Sequence, residues 1–407
     1  MGHRRIPPFA SRILIFAASV FLVTAAWAAS TTKLIYSFAG STDGEYTDTE
    51  LVRDSAGNLY GTSVQGGTGG GGTVFQVTPA GVHTVLYNFT GGADGGEPYK
   101  GVTLDAQGNL YGTAVTGGGG SCEGGCGVVF KLANSGGVWT QSVIHTFTGG
   151  SDGFGPGAPV SIDTHGNIYG TTPTGGAYGV GTVYQLHESA GIWKIRVIHT
   201  FTGGADGGGG SAERLLIDSA GNLFGVCTFG GVNGFGTVYE ISLHQAQWRL
   251  TTLYAFKDQP DGASPYGGVV FDKQGNLYGT TYYAGANDFG TVYKLTPSNG
   301  TWTESVLYSF KGGTDGASPI SSLVADAAGN FYGTTSAGGA SCSCGVIFKM
   351  THGSSGKWTE SVAYSFTGAP NPGFAYNGMI TGAGGVFYGA TVHGGSNDDG
   401  TVYEFIP

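Results

Sequence analysis

Charged residues are scarce in this sequence, and the positive ones are the scarcer. Only 11% of its 407 residues are charged, with 17 Lys and Arg against 27 Asp and Glu, which gives a formal net charge of −10. Proteins that bind nucleic acid rely on clustered Lys and Arg to neutralise phosphates. The composition therefore excludes nucleic acid and anionic membrane surfaces as partners, while it permits a cationic partner or a divalent metal.

Long apolar runs are also absent, apart from one near the N-terminus. Residues 13–25 are apolar, follow a stretch with three arginines and precede a small-x-small pattern at 26–28. We predict a signal peptide over residues 1–28, whose cleavage after Ala28 would take the net charge to −13. An uncleaved anchor is the alternative. We expect residues 29–407 to be one secreted, soluble, monomeric domain in the periplasm or outside the cell.

Helical periodicity is the third thing missing. No segment has the apolar spacing of an amphipathic helix, whereas glycine accounts for 80 residues and aromatic side chains for 13%. Disordered chains lack aromatic residues, so the sequence predicts an all-β fold. A Gly-Asn-Leu-Tyr-Gly motif or a close variant recurs throughout residues 29–407 and leaves no room for a second domain. Its seven copies begin at Gly57, Gly108, Gly166, Gly221, Gly275, Gly329 and Gly385.

Each copy contains four short runs of Val, Leu, Tyr, Phe and Thr bounded by turn residues. In the fifth copy we predict strands at 268–271, 277–282, 291–295 and 302–310. Six copies join the first two runs by Asp-x-x-Gly-Asn, in which Asp caps backbone N–H groups and Gly takes the left-handed conformation. Four antiparallel strands in tandem repeats are typical of a β-propeller blade.

The two ends of the chain complement each other. Residues 34–38 form a fourth strand without its first three, and residues 401–405 form a third strand without its fourth. The two segments can pair and close a ring, which removes the exposed edges of an open array. A linear stack would instead require polar capping repeats. The sequence therefore predicts a closed seven-bladed β-propeller in which the N-terminal strand completes the last blade.

The repeating unit resembles a known family. It runs from Leu-Tyr-Ser-Phe through Gly-Gly-Thr-Asp-Gly and Gly-Asn-Leu-Tyr-Gly-Thr-Thr to Gly-Thr-Val-Tyr-Lys-Leu, and it resembles the GloVer tandem repeat over residues 33–407. That repeat occurs in secreted bacterial proteins named for their variable surface anchors. The resemblance implies an extracellular location and no established activity. Because residues 406–407 end the chain without an anchoring tail, we expect release rather than surface attachment. The Asp-x-x-Gly-Asn-Leu-Tyr turn is also similar to that of NHL-type and gluconolactonase-like propellers.

Most of the repeated side chains are expected to be structural. All five tryptophans after residue 28 lie eight residues before the phenylalanine that ends a fourth strand, which indicates packing between or along blades. In an exported protein, cysteines within the only lengthened loops indicate local disulfides. We predict the pairs Cys122–Cys126 and Cys342–Cys344, and we expect Cys227 to be a buried free thiol.

A ring of carboxylates is the first candidate site. Six copies contain Asp-Gly between the fourth strand and the next first strand, at Asp43, Asp94, Asp152, Asp206, Asp261 and Asp315. One interpretation is an acidic ring at a channel mouth that holds Ca²⁺. The other, which the regular repetition favours, is six Asx-type turns. No other cofactor is indicated.

Ligand sites in a repeat protein should lie where the repeat is broken. The copies diverge most just before the first strand, which lines the axis of a propeller, and there they introduce mixed charges and phenol groups. Such groups can bind sugars or small polar ligands at the channel mouth. Ordinary loop variation is the alternative. The divergent residues are Asp48, Glu50, Tyr99, Lys100, Glu213, Arg214, Tyr266, Tyr376 and Asn377.

No catalytic constellation is evident. The chain lacks a Gly-x-Ser-x-Gly elbow, a His-Glu-x-x-His motif and a phosphate-binding loop. His145 and His199 replace fourth-strand tyrosines, and His393 is a lone candidate base. The leading hypothesis is a binding module for polysaccharide, envelope material or protein. The alternative is an enzyme that acts on an extracellular sugar or lactone through Glu50 or Glu213, and the fold alone cannot decide between them.

Overall fold

The repeats fold into seven small antiparallel sheets arranged in a ring. A computed structural model describes residues 1–2, 30–210, 213–353 and 356–407. The predicted signal peptide therefore lies mostly outside the described residues. The all-β, seven-bladed prediction is confirmed. Within the described ranges no helix has the length and hydropathy needed to cross a membrane.

Each blade contains four strands, which we number from the axis outward. In blade 1 they are Val52–Arg53, Leu59–Ser63, Thr73–Val77 and His83–Asn88. In blade 2 they are Lys100–Leu104, Leu110–Ala114, Val128–Ser135 and Val138–Thr146. In blade 3 they are Ser161–Ile162, Ile168–Thr172, Thr182–Ser189 and Ile192–Thr200.

Blades 4 to 6 repeat the same order. Blade 4 has Leu216–Ile217, Leu223–Cys227, Thr237–His244 and Gln247–Ala255. Blade 5 has Val270–Phe271, Leu277–Thr281, Thr291–Ser298 and Thr301–Ser309. Blade 6 has Val324–Ala325, Phe331–Ala337, Val346–His352 and Trp358–Ser365. Short additional elements are Thr49–Glu50, Ala317–Pro319, Pro372–Gly373, His393–Gly394 and the 3₁₀ turns Gly313–Asp315 and Ala383–Gly385.

Blade 7 is built from both ends of the chain. Ile380–Thr381, Phe387–Thr391 and Thr401–Ile406 form its first three strands, and Thr31–Ser37 forms its fourth. The N-terminal strand pairs antiparallel with the C-terminal one from Thr31 opposite Ile406 to Ser37 opposite Thr401. The predicted closure of the ring is therefore confirmed.

Six of the seven first strands have only two residues, fewer than the sequence suggested for blade 5. In blade 5 the predicted strand 268–271 is reduced to Val270–Phe271. The preceding residues lie along a neighbouring blade instead of continuing in their own sheet. Thr49–Glu50 shows this directly, because it pairs in parallel with Lys100 and Gly101 of blade 2. These segments therefore line the channel as irregular chain.

Aromatic side chains join the blades. The phenylalanine that ends each fourth strand packs against the Phe or Tyr of the next blade's third strand, and the same ring contact closes the circle from Phe38 to Phe75 at 5.0 Å. Tryptophan also packs between blades, as Trp139 does on Tyr60 at 6.1 Å. The predicted structural role of these rings is thus confirmed.

The repeated motif has a packing reason as well as a turn reason. In the turn of blade 1, Asp54 accepts hydrogen bonds from the Asn58 backbone N–H and side-chain amide, both at 2.8 Å. Gly57 there has φ +93°, which favours glycine. The second glycine of the motif faces a third-strand ring, because a Cβ on Gly61 would lie 2.7 Å from Phe75 Cζ.

We call upper the face that carries the loops between second and third strands and the loops between blades. The lower face carries the turns between first and second strands and between third and fourth strands. The segments that lead from the upper face to the first strands run along the central channel, and they contain the divergent residues.

Candidate functional site

The channel-lining segments begin in the same way in every blade. Three residues after the Asp-Gly aspartate, or its equivalent in blade 7, the backbone is left-handed, with φ between +53° and +70°. The residues in this conformation are Tyr46, Glu97, Gly155, Gly209, Ser264, Ser318 and Phe374. The residue before each one pairs with a second-to-third loop of the same blade, as Glu45 does with Gln65. This small pairing fixes where each divergent segment enters the channel.

Asp48, Lys100 and Asn377 meet in the channel although they come from three blades. Lys100 Nζ lies 2.9 Å from Asp48 Oδ1 and 3.1 Å from Asn377 Oδ1. The Asn377 amide also donates to Asp48. The Lys100 side chain is 11% exposed. Burial alone would lower the pKa of Lys100, but its acidic neighbours, Asp48 first and Glu213 second, more than offset this and raise it. The lysine is therefore held charged by its neighbours.

Arg214 and Glu50 form the second ion pair of the channel. Arg214 donates to Glu50 Oε2 from Nε at 3.3 Å and from Nη2 at 3.0 Å. Its Nη1 donates to the Val160 carbonyl at 3.0 Å and to the Thr103 hydroxyl. The guanidinium thus spans blades 1 to 4 and is largely satisfied by protein groups.

Glu213 is the third carboxyl group of this cluster. Its side chain is buried. Burial, opposed by Lys100 and reinforced by Glu50 and Asp48, raises the pKa of Glu213 to about 8. With Glu213 protonated near neutral pH, two cations face two carboxylates. We call Asp48, Glu50, Lys100, Glu213, Arg214 and Asn377 the channel cluster. The cluster carries no net charge, because Lys100 pairs with Asp48 and Arg214 pairs with Glu50.

Two cavities lie on either side of the channel cluster. The lower one, of about 510 Å³, is lined by first-strand residues of blades 2 to 7 and by Glu50, Glu213 and Arg214. The upper one, of about 380 Å³, is lined by segments of blades 2 to 5 and includes Lys100. Because Lys100 borders one cavity, Glu213 borders the other and each influences the pKa of the other, the cluster lies between the two.

Tyrosines define the upper cavity. Tyr99 and Tyr266 line it from opposite sides, together with Phe229 and small residues such as Gly157 and Gly210. Tyr376 is not among the residues that line this cavity. Burial raises its pKa, and the nearby Tyr282 and Asp48 add to the rise. The six residues of the channel cluster and these three tyrosines account for all nine predicted site residues. The structure brings the first six together and places two tyrosines in the upper cavity, whereas ligand binding by any of them stays a prediction.

A set of exposed rings on the upper face was missed in the sequence. Within the described residues, six aromatic side chains are exposed, and Tyr46, beside His393, is the only one outside blades 3 to 5. The other five are 38% to 63% exposed and lie on the second-to-third loops of those three consecutive blades. We call them the aromatic sector: Tyr178, Phe229, Phe235, Tyr283 and Phe289. The sequence feature that could have predicted the sector is an aromatic residue just before the last glycine of the second-to-third loop, which occurs in the fourth and fifth copies.

The Asp-Gly carboxylates belong to turns. Asp94 accepts hydrogen bonds from the Thr90 backbone N–H at 2.9 Å and from the Tyr87 hydroxyl at 3.0 Å. The same pattern recurs at the other five aspartates, and His145 and His199 take the tyrosine's place with Nε2–Oδ2 distances of 3.2 and 3.0 Å. The Asx-turn interpretation is thus supported over the Ca²⁺ ring. In the described part of the chain no three His, Cys, Asp or Glu side chains group as a metal site.

His393 lies on the upper face of blade 7, outside the channel cluster. Its Nδ1 is 3.7 Å from Asp398 Oδ2, and its ring packs against Tyr46 and Phe374 at 5.7 and 5.5 Å. The adjacent acids diverge, because Asp398 accepts from the Gly394 N–H at 2.7 Å while Asp399 is directed at Gly40. The geometry therefore gives His393 a neighbour but no converging acid–base set.

Two larger cavities lie between blades on the lower face. They measure about 770 and 730 Å³ and are lined by the repeated turn aspartates, asparagines, tyrosines and tryptophans of blades 2–3 and 5–6. Because equivalent residues occur at most junctions, these grooves are part of the repeat. We therefore place the candidate site at the upper cavity, where the repeat is broken.

The cysteines lie as the sequence predicts. Cys122–Cys126 and Cys342–Cys344 form two close pairs, each with Cα atoms 5.1 Å apart, in the upper loops of blades 2 and 6. Cys227 is buried and free. Its burial raises the pKa of the thiol. It is therefore an unreactive packing residue.

Comparison with known families decides the relationship of the chain. The sequence model of the Gloeobacter/Verrucomicrobia repeat matches residues 19–124, 119–343 and 247–407. This chain belongs to that family. The resemblance to the GloVer repeat is therefore confirmed, and the family matches cover every blade of the propeller. No curated protein matches the chain.

Solved structures share the fold of this Gloeobacter/Verrucomicrobia repeat protein. An ancestral GH74 enzyme has a TM-score of 0.55 at 11% identity, over 90% of this chain and 48% of that one. The extracellular domain of a Bacteroides thetaiotaomicron protein described as a one-component system has a TM-score of 0.54 at 8% identity, over 90% and 39%. A Bacteroides uniformis protein assigned as a 6-phosphogluconolactonase has a TM-score of 0.52 at 15% identity, over 76% and 83%. Such low identities establish the propeller fold alone.

Proposed function

We propose that this protein is a secreted binding module that holds an extracellular or envelope ligand, polysaccharide or protein, at the upper mouth of its channel. The observation that carries the proposal is the upper cavity of about 380 Å³, whose walls include Tyr99, Phe229 and Tyr266. Apolar concave sites with a few polar groups are typical of ligand pockets.

The channel cluster supports binding over catalysis. Its two cations pair with carboxylates inside the protein, at 2.9 Å for Lys100–Asp48 and 3.0 Å for Arg214–Glu50. A charged group that is already paired and half-buried or buried has little left to offer a substrate. The cluster thus acts as the floor of the cavity, and the phenol and phenyl rings remain to contact the ligand.

The test is retention of the purified domain, residues 29–407, on insoluble polysaccharides and on an envelope fraction. Tyr266→Ala should abolish retention, since it removes a cavity wall, whereas Tyr266→Phe should keep most of it. Ile192→Ala, at the exposed lower-face start of the fourth strand of blade 3, is the control. Absence of retention on every carbohydrate and envelope component by the wild type would contradict the proposal.

A second candidate rests on Glu213. A buried carboxylic acid with a pKa raised to about 8, on the wall of the 510 Å³ lower cavity, could donate a proton to a sugar or lactone. Two of the structures that share the fold carry names of enzymes on such substrates. Loss of turnover in Glu213→Gln and Glu50→Gln would favour this enzyme, and normal turnover in both would exclude the site.

A further inference from the structure

The aromatic sector continues the upper cavity outward. Phe229 lines the cavity and is also 43% exposed at its edge. In blade 5, Tyr266 in the cavity wall contacts Tyr282 at 5.2 Å between ring centroids, and Tyr282 contacts the exposed Tyr283 at 4.5 Å. In blade 5, ring contacts therefore lead from the cavity wall to the exposed Tyr283.

Glycines hold two of these rings in place. A Cβ on Gly208 would lie 2.7 Å from Phe229 Cε2, and a Cβ on Gly312 would lie 2.8 to 3.0 Å from three atoms of the Phe289 ring. Any larger residue would displace the rings. One side of each ring is thus closed by backbone and the rest is left to solvent, which fixes the ring before a ligand arrives.

The loops that carry the sector are almost uncharged. Residues 173–181, 228–236 and 282–290 contain a single charged side chain, Asp288, which accepts a hydrogen bond from Gln259 Nε2 at 2.6 Å. The second-to-third loop of blade 7 differs, since it carries both Asp398 and Asp399, and Asp398 accepts from the Gly394 N–H at 2.7 Å. The three loops of the sector therefore carry no cation of their own, and the lysines on the adjoining inter-blade loops lie over aromatic rings, since Lys257 Nζ and Lys311 Nζ are each 5.6 Å from the ring centroids of Tyr254 and Tyr308, respectively.

Neutral sugar rings match these surfaces. One face of a pyranose presents C–H groups that pack on an aromatic ring, while its hydroxyl groups hydrogen-bond with water and backbone at the edge. A folded protein partner could also cover apolar rings, but it would normally bring charges of its own to the rim of the interface.

We propose that the aromatic sector is an extended subsite for a neutral polysaccharide, whose chain leaves the upper cavity past Phe229 and continues over Phe235, Tyr283 and Phe289. This inference rests on the proposed function, because it assigns a ligand class to the same site. It goes further in requiring that affinity depend on the length of the sugar chain.

The experiment is calorimetric titration of the domain with neutral oligosaccharides, from disaccharide to octasaccharide, of the cello-, xylo-, manno- and malto- series. We expect wild-type affinity to rise with length in one series. The triple variant F235A/Y283A/F289A should lose about tenfold in affinity for the octasaccharide while it keeps that for the disaccharide. Tyr266→Ala should lose both.

The matched control is Gln65→Ala, which changes the exposed residue of blade 1 that is equivalent to Tyr283. It should bind every oligosaccharide like the wild type. Octasaccharide binding that is unchanged in the triple variant, or wild-type affinity that does not grow with length, would overturn the extended subsite while the cavity proposal stands. Capture of an envelope protein through these rings, without any sugar binding, would overturn the polysaccharide. If no ligand of any class binds, the proposed function itself fails.

Discussion

The channel cluster and the aromatic sector are two places where the repeat is broken, and they use the difference in opposite ways. In the channel, divergent charges from blades 1, 2 and 4 neutralise one another, as Lys100 does with Asp48 at 2.9 Å. On the upper rim, divergent rings of blades 3 to 5 remain exposed. Residues that depart from the repeat are therefore of two kinds. Those buried in the channel form ion pairs with one another, whereas those exposed on the rim remain accessible to a ligand.

The largest expected effect lies in the channel. Lys100→Met leaves Asp48 without its cation, so the free energy of unfolding should fall by about 3–5 kcal/mol in urea denaturation. Lys33→Met is the matched control, because Lys33 lies 3.8 Å from Glu404 on the surface and should cost less than about 1 kcal/mol. A Lys100→Met protein as stable as the wild type would show that the cluster is an open site after all.

The second prediction concerns the part of the upper face without exposed rings. Cys126 in blade 2 and Cys344 in blade 6 stand before the loop's last glycine, the position that Phe235 and Phe289 take in the aromatic sector. C122S/C126S should lower the free energy of unfolding by about 2 kcal/mol, from the entropy of the small closed loop. Polysaccharide retention should not change. Glu123→Ala in the same loop is the control. Reduced retention in the double variant would contradict the view that this part of the rim does not take part in ligand binding.

A smaller effect should appear in the pH dependence of Tm. Burial raises the pKa of Glu213 to about 8 and the pKa of Glu304 and Glu360 to about 7, above the usual value of 4.5. Each carboxyl group therefore keeps its proton in the fold at pH values where the unfolded chain has lost it, so its contribution to stability is complete below pH 4.5 and is lost as pH rises through 7 to 8. Thermal melts from pH 5 to 9 should show Tm falling.

Matched variants divide that slope between regions. Glu213→Gln should remove the part of the slope near pH 8, and the double variant E304Q/E360Q the part near pH 7. Because phenylalanine has no titratable group, Phe289→Ala should keep the wild-type slope. A wild-type Tm that rises between pH 5 and 9 would refute the assignment.

The smallest change in stability is expected on the rim. Phe289 is 40% exposed, so Phe289→Ala should alter the free energy of unfolding by about 0.5 kcal/mol while it weakens polymer binding. Thermal melts and retention assays on the same preparations would check both halves. A loss of several kcal/mol would mean that the ring is a structural part of the blade.

Much of the fold follows from local rules that the repeat makes visible. The Asp-x-x-Gly-Asn turns, the tryptophan positions and the pairing of Thr31–Ser37 with Thr401–Ile406 could all be predicted, because each is repeated or complementary. The strand 268–271 was too long, because a non-local pairing with the neighbouring blade competes with the local sheet, as Thr49–Glu50 shows. Ligand binding by the nine candidate residues stays a prediction, and the exposed rings of the upper rim were missed, since exposure depends on how loops pack.

By itself the sequence determined the number of blades, the closure of the ring and the turns that carry it. Those properties depend on the spacing of the strands and on hydrogen bonds within each turn, and both recur in the sequence of each copy. Only the tertiary structure decided which divergent residues meet. Asp48, Lys100 and Asn377 are 52 to 329 residues apart along the chain, and the ring brings their side chains within hydrogen-bond distance. Contacts between different blades determine whether a charge is paired and whether a ring is exposed, so neither can be predicted from the sequence of a single repeat.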